Sequence, residues 1–255
     1  MDLMDSYMVR VGVGVLLNLA LLSQFFAAAF LTTRRGKDAL MPVLLFAALF
    51  AMDMGLVMSF KLVPLIPAWG HWNWQGKLLE AAWPLLLAWK APAAFPPKEI
   101  GLTLPEPKRS ARTLLITCAL YALIGIPVIL LLGAHFGIGG DVPAFAYEAT
   151  MPGLGEELVY RGVLLMLLNE AFGRPWKFAG IQFGWGLIIV TAMFGFLHGI
   201  DVQPGHSPLF VISWFGMIFP AATGLVLAWL RERTGSVWPG VLFHNFVNVV
   251  NRFLV

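Results

Sequence analysis

The sequence predicts an all-α polytopic membrane protein of about eight transmembrane helices, and three observations carry that expectation. Hydrophobic residues make up 59% of the 255 and charged residues 12%, about half the roughly 25% charged share of an ordinary soluble domain. So few charges cannot make the polar shell of a soluble core, so lipid is the expected outer solvent. The apolar residues come in runs of about 20, the length that crosses a bilayer as a helix. The basic residues sit in short clusters between those runs, which reads as a topology signal despite a pI near 9.2. No nucleic-acid partner is expected.

The runs place spans at Val11–Leu31, Met41–Phe60, Leu78–Phe95, Leu114–Leu132, Pro152–Phe172, Phe178–His198, Leu209–Leu230 and Val237–Val255. The third is the shortest reading, because Glu80 and Lys90 trim it and Pro84 interrupts its hydrogen bonding. There is no repeat and no linker, so residues 1–255 are expected to form a single membrane domain, and no soluble module is expected. The single cysteine, Cys118, lies in an apolar run and reads as a packing residue. The N-terminal MDLMDSYMVR has two acids before its first arginine, and no small-residue cleavage site follows the apolar run, so removal as a signal peptide is not expected.

Lys and Arg alternate between connections. One set holds Arg34, Arg35 and Lys37, then Lys90, Lys98, Lys108, Arg109 and Arg112, then Arg174 and Lys177, then Arg231 and Arg233. The other holds Arg10, Lys61, Lys77 and Arg252. Positive charge favours the cytoplasmic side, so both termini are expected outside the cell, or inner, membrane. Trp69, Trp72 and Trp74 suit an outer aromatic belt, and the connections Gly133–Met151 and Ile200–Pro208 carry no Lys or Arg.

Ionisable groups inside spans are costly and are functional candidates by default. In the fifth span Glu156 and Glu157 are adjacent, with Arg161 four residues beyond Glu157. Positions i and i+4 share a helix face, so Glu157 and Arg161 are expected to pair, which leaves Glu156 without a cation on its own helix. The sixth span ends in Phe194-Gly-Phe-Leu-His198, and the eighth holds His244 and Asn248 one turn apart. Each alone suits a bland role, such as an interfacial histidine or a polar contact between helices. Their similar depth suggests convergence on one cavity.

These three segments read EExxxR, FxxxH and HxxxN, and together they resemble the CPBP family, which includes type II CAAX prenyl endopeptidases and bacteriocin-processing and self-immunity proteins. The resemblance covers roughly residues 145–255 and is complete at Glu156, Glu157, Arg161, Phe194, His198, His244 and Asn248. It implies a protease core over 113–255, with the active site in the C-terminal four helices, and assigns no role to the helices of 1–112. It also implies an intramembrane endopeptidase in which glutamate and histidine activate water, with no obligatory metal and no cofactor. The residue types fit that chemistry. A desolvated glutamate is a strong base when ionised and a competent acid afterwards. Glu156 is the expected base, His198 holds or polarises the water, and His244 and Asn248 donate to the developing oxyanion. Glu157 and Arg161 support the helix of the base, and Phe194 packs beside the site.

Two other readings stay open. A zinc protease would use two histidines and a glutamate as ligands, although no HExxH is present. An immunity or scaffold protein of the same fold would use the polar groups only to hold helices together. Asp53 is expected to bond a neighbouring helix, Asp201 and His206 to lie in a solvated outer loop, and His71 and His135 to be interfacial. Gly184, Gly186, Gly195 and Gly199 are expected to allow close helix approach. The expected partners are the bilayer and an exported or membrane-anchored peptide or protein. Neither the substrate nor the oligomeric state follows from the sequence.

Overall fold

A chain in lipid must satisfy its backbone hydrogen bonds internally, and a helix does so locally. The computed structural model, which describes residues 3–62, 72–133, 135, 137–204 and 206–254, is accordingly 75% helical. Its helices are α1 (Leu3–Thr33), α2 (Leu40–Leu62), α3 (Trp74–Lys90), α4 (Pro97–Ile100), α5 (Pro107–Leu120), α6 (Ile126–Leu131), α7 (Val142–Glu148), α8 (Met151–Glu156), α9 (Leu165–Phe172), α10 (Trp185–Gly199), α11 (Trp214–Thr234) and α12 (Trp238–Asn251). Two π-helical stretches, Tyr121–Gly125 and Glu157–Leu164, run α5 into α6 and α8 into α9.

Among the described residues, four helices are long and apolar enough to cross a membrane: Met8–Thr33, Gly36–Met58, Pro107–Leu131 and Trp214–Thr234. Trp185–Gly199 is a shorter apolar helix. The expected eight spans therefore rest on length and hydropathy for only four. The shortfall has physical causes. Helix α3 carries Lys77, Glu80 and Lys90 within 17 residues, and α12 has 14 residues. The continuous helix from α8 to α9 carries Glu156, Glu157, Arg161 and Glu170.

Several expected boundaries move. The sixth apolar run begins with a hairpin, β1 (Trp176–Phe178) and β2 (Ile181–Phe183), in place of helix from Phe178. Ala179 and Gly180 both have positive φ, the signature of a two-residue turn that fits the twist of the strands. The seventh begins with β4 (Phe210–Ile212), which pairs antiparallel with β3 (Ile200–Val202) before α11 starts at Trp214. Short apolar runs do not distinguish strand from helix by periodicity. The third span starts at Trp74, where Asn73 caps the helix by accepting from the Gly76 amide at 3.1 Å. This moves Lys77 from the expected outer connection into the first turn of α3.

Packing centres on α9, whose Phe172 meets Phe26 and Phe30 of α1, while Phe26 meets Phe46 of α2 edge-on. Helix α10 lies against α11 with little between them. A β-carbon on Gly195 would sit 2.9 Å from both Ala221 Cβ and the Met217 carbonyl oxygen, and one on Gly199 would overlap Met217. Gly186 makes the same kind of space for Asn169 and Leu168, and Gly184 for the Gly173 carbonyl.

The two ends of the bundle differ in charge. At one, Arg231 donates to the Glu99 carbonyl at 2.6 Å, Arg233 to the Gly180 carbonyl at 2.7 Å, and Arg174 pairs with Glu232. At the other, Arg10 pairs with Asp201 of β3, Arg252 pairs with Glu148 at 2.5 Å, and Trp72 and Trp74 pack on Tyr147. His135 and His206 are exposed, and His71 and Trp69 lie outside the described residues. With the first end cytoplasmic, reporter fusions placed after Lys37 and after Gly205 should report opposite sides of the membrane. Same-side signals would break this topology.

Candidate active site

Glu156 and Glu157 are neighbours in sequence, and successive residues on a helix point about 100° apart. Their carboxylates accordingly reach different helices. Glu156, the last residue of α8, receives Lys77 of α3: Nζ donates to Glu156 Oε1 at 2.7 Å. Lys77 Nζ also lies 2.7 Å from Glu80 Oε2, an ion pair one turn along α3 whose angles are not those of a hydrogen bond. Glu80 is 1% exposed. Gly155 is what lets it in, because a β-carbon there would collide with the Glu80 carboxylate.

Glu157 turns the other way. Its Oε1 accepts from Arg161 NH1 at 2.9 Å, and both side chains are wholly buried. This is the expected i, i+4 pair. Arg161 NH2 also donates to the Gly224 carbonyl of α11 at 3.2 Å, and its guanidinium lies 4.3 Å from the centre of the Phe194 ring.

The same Glu157 oxygen is 2.9 Å from His244 Nδ1. A carboxylate paired with arginine accepts hydrogen bonds only, so Nδ1 carries the proton there. His244 Nε2 is thereby directed toward Glu156, whose Oε2 lies 3.9 Å away and has no hydrogen-bond partner of its own among the described residues.

His198 sits at the end of α10 with Nδ1 2.8 Å from the Phe194 carbonyl one turn back. A carbonyl cannot donate, so this proton is also on Nδ1 and Nε2 is free. Its ring packs 4.5 Å from the Phe194 ring, on which His244 also packs edge-on at 5.8 Å. The His198 side chain is exposed at the helix surface, yet both imidazoles lie within electrostatic reach of the Glu156 carboxylate.

Asn248 is one turn from His244, half-buried, and its side chain makes no hydrogen bond among the described residues. The neighbouring Asn245 is the engaged asparagine. It accepts from the Gly153 amide at 2.8 Å and donates to the Thr150 carbonyl at 3.3 Å, tying α12 to the start of α8. Asp53 of α2, fully buried, accepts from Trp83 Nε1 at 2.9 Å, the bond to a neighbouring helix expected for it. Among the described residues no three His, Cys, Asp or Glu side chains converge as metal ligands.

The geometry thus joins Glu156, Glu157, Arg161, Phe194 and His244 directly, His198 through Phe194, and leaves Asn248 unattached. Two residues that sequence reasoning passed over are part of the cluster, Lys77 and Glu80. A readable signal existed: Asn73 stands as an N-cap residue just before the apolar run, and a helix starting there puts Lys77 and Glu80 on one face at i, i+3.

Residues 138–250 match the family model described as Type II CAAX prenyl endopeptidase Rce1-like. This stretch is an Rce1-like domain. No curated protein and no solved structure gave a significant match to the chain. The Rce1-like family is a family of membrane proteases, and with its apolar helices the chain is an integral membrane protein. The Rce1-like domain contains every candidate site residue from Glu156 to Asn248, while Lys77, Glu80 and Asp53 fall outside it.

The buried pair generates a stability prediction. Glu157→Gln leaves Arg161 as an uncompensated charge, a loss of about 3–5 kcal/mol in soluble proteins. The purified variant should unfold at clearly lower temperature than wild type. A protein as stable as wild type would mean that Arg161 does not depend on Glu157.

Proposed function

We propose that the chain is an intramembrane endopeptidase in which Glu156 activates water to cleave a peptide bond of a membrane-associated substrate. The observation that carries this is the division of the Glu156 carboxylate: Lys77 occupies Oε1, and Oε2 is left open 3.9 Å from His244 Nε2. A base must keep an oxygen free to accept a proton.

In this reading a water lies against Glu156 Oε2 and the free Nε2 of His198. Glu156 takes one of its protons as the water oxygen bonds to the substrate carbonyl carbon. The carbonyl oxygen becomes an oxyanion and receives hydrogen bonds from Asn248 and His244. The tetrahedral centre then collapses, the C–N bond breaks, and Glu156 passes its proton to the leaving amine. The products are a carboxylic acid and an amine, which settle as carboxylate and ammonium, and the base is regenerated.

The Glu157 contact refines the part of His244. With Nδ1–H directed to Glu157, Nε2 donates only when the ring is an imidazolium. Glu157 and Glu156 are the counter-ions such a ring requires, and they flank it. The substrate class follows less directly. His198 stands three residues before Asp201, at the end of the bundle read as outer, which supports an exported or membrane-anchored peptide. The family description points instead to a prenylated CAAX tail.

The test uses the full chain in proteoliposomes with quenched-fluorescent peptides, one set carrying farnesylated CAAX tails and one set unprenylated and membrane-inserted. Glu156→Gln keeps size and hydrogen bonding but cannot accept a proton, so cleavage should fall to near background with helix content intact. Asn248→Ala should retain activity reduced by roughly 10²–10³-fold, the usual loss of one oxyanion donor. A folded Glu156→Gln protein cleaving at the wild-type rate would end this reading. A chelator that abolishes cleavage, with recovery on adding zinc, would move it to a metalloprotease.

A further inference from the structure

We infer that Lys77, on α3 and outside the Rce1-like domain, is a positioning residue that selects which oxygen of Glu156 acts. The inference rests on Glu156 being the base.

Lys77 could be no more than half of an α3 ion pair with Glu80, serving helix packing. The geometry weighs against that. At equal distances of 2.7 Å, the aligned hydrogen bond from Nζ goes to Glu156, 79 residues away, while the contact to Glu80 is not aligned as one. Lys77 and Glu156 are each 12% exposed. A desolvated ammonium is costly unless paired and hydrogen-bonded, so this lysine is held in its position by Glu156 as much as it holds Glu156.

The chemical consequence is specific. A carboxylate has two oxygens, and the one receiving an ammonium proton is a poor site for a second. Lys77 occupies Oε1, so the proton from water must go to Oε2, the oxygen nearer His244. Without Lys77, Glu156 keeps only the His244 ring, 3.9 Å away and shared with Glu157, as a cationic neighbour; a buried carboxylate with no hydrogen-bonded cation takes up a proton, and a protonated Glu156 cannot begin the reaction. Glu80 and Asp53 stand behind Lys77, with Asp53 held by Trp83. The N-terminal helices thereby supply the support on which the base rests.

The experiment uses the full chain in proteoliposomes, comparing Lys77→Met, Lys77→Arg and the double variant Lys77→Met/Glu80→Met, which removes the orphaned Glu80 charge. Two readouts are taken: infrared difference spectra of the Glu156 carboxyl, assigned against Glu156→Gln, and kcat and KM on the cleaved peptide. Expected for both variants carrying Lys77→Met are a protonated Glu156 signal and a kcat lower by about 10²-fold or more, within the range a placed base contributes. KM should stay near wild type, and Lys77→Arg should recover much of kcat. If Lys77→Met does not fold, the double variant decides. A double variant with wild-type kcat and an ionised Glu156 would overturn the inference and leave Lys77 as a partner of Glu80 alone. The readings fail separately: wild-type cleavage by Glu156→Gln ends the base assignment, whereas the infrared signal tests the Lys77 tether in either case.

Discussion

A guanidinium with no access to water must find its partners in the protein, and Arg161 finds them there for all but its Nε, which has none among the described residues. Its charge is met by Glu157, its second nitrogen by the Gly224 carbonyl, and its face by the Phe194 ring. Each partner belongs to a different part of the chain: the same helix, α11 and α10. Glu157 then adds α12 through His244. One side chain thus sets the relative position of four helical segments. Gly224 is small because a β-carbon there would stand 3.0 Å from the guanidinium. The low dielectric that makes an unpaired charge so costly also makes this arrangement hard to leave.

Two adjacent carboxylates divide the work of the cluster. Glu157 takes both Arg161 and His244 on Oε1, its Oε2 making no hydrogen bond among the described residues, and it serves architecture and the fixing of a tautomer, as the partner of a histidine commonly does. Glu156 is also hydrogen-bonded on one oxygen, but by Lys77 of another helix. Each acid thus has a cation of its own, which explains why two glutamates stand together where lipid would tolerate neither alone. The two cations come from different places, Lys77 from α3 and Arg161 from the same helix as the acids, and each hydrogen-bonds a different acid.

How much of this was legible in the sequence depended on separation along the chain. The Glu157–Arg161 pair was readable because a helix brings i and i+4 together whatever surrounds it. The three polar segments were readable as exceptions to an apolar background. Lys77 was not, because a lysine at the margin of an apolar run looks like any interfacial charge, and its partner is 79 residues away. The Glu157–His244 bond, across 87 residues, was hidden for the same reason. Apolar runs at Phe178 and Leu209 were legible as buried or lipid-facing but not as strand, since both periods are masked when every residue is apolar. Asn245 and Asn248 illustrate the limit at close range. The motif marks the second, yet the first is the one that ties helices together.

The winding of residues 157–164 has a consequence of its own. A π-helical stretch carries extra chain for the same rise, and such stretches are rare and frequently found at functional sites. Here it begins at Glu157 and ends before Leu165, so the acids lie at its edge and the buried residues of α9 lie beyond it. The wide turns let each end keep its own angular phase: Glu156 faces Lys77 while Phe172 faces α1. Chain length in this stretch is therefore as constrained as its composition. Winding the same residues as regular α-helix, with none removed, would turn the acids by roughly 100° relative to the α9 core, with every acidic side chain still present.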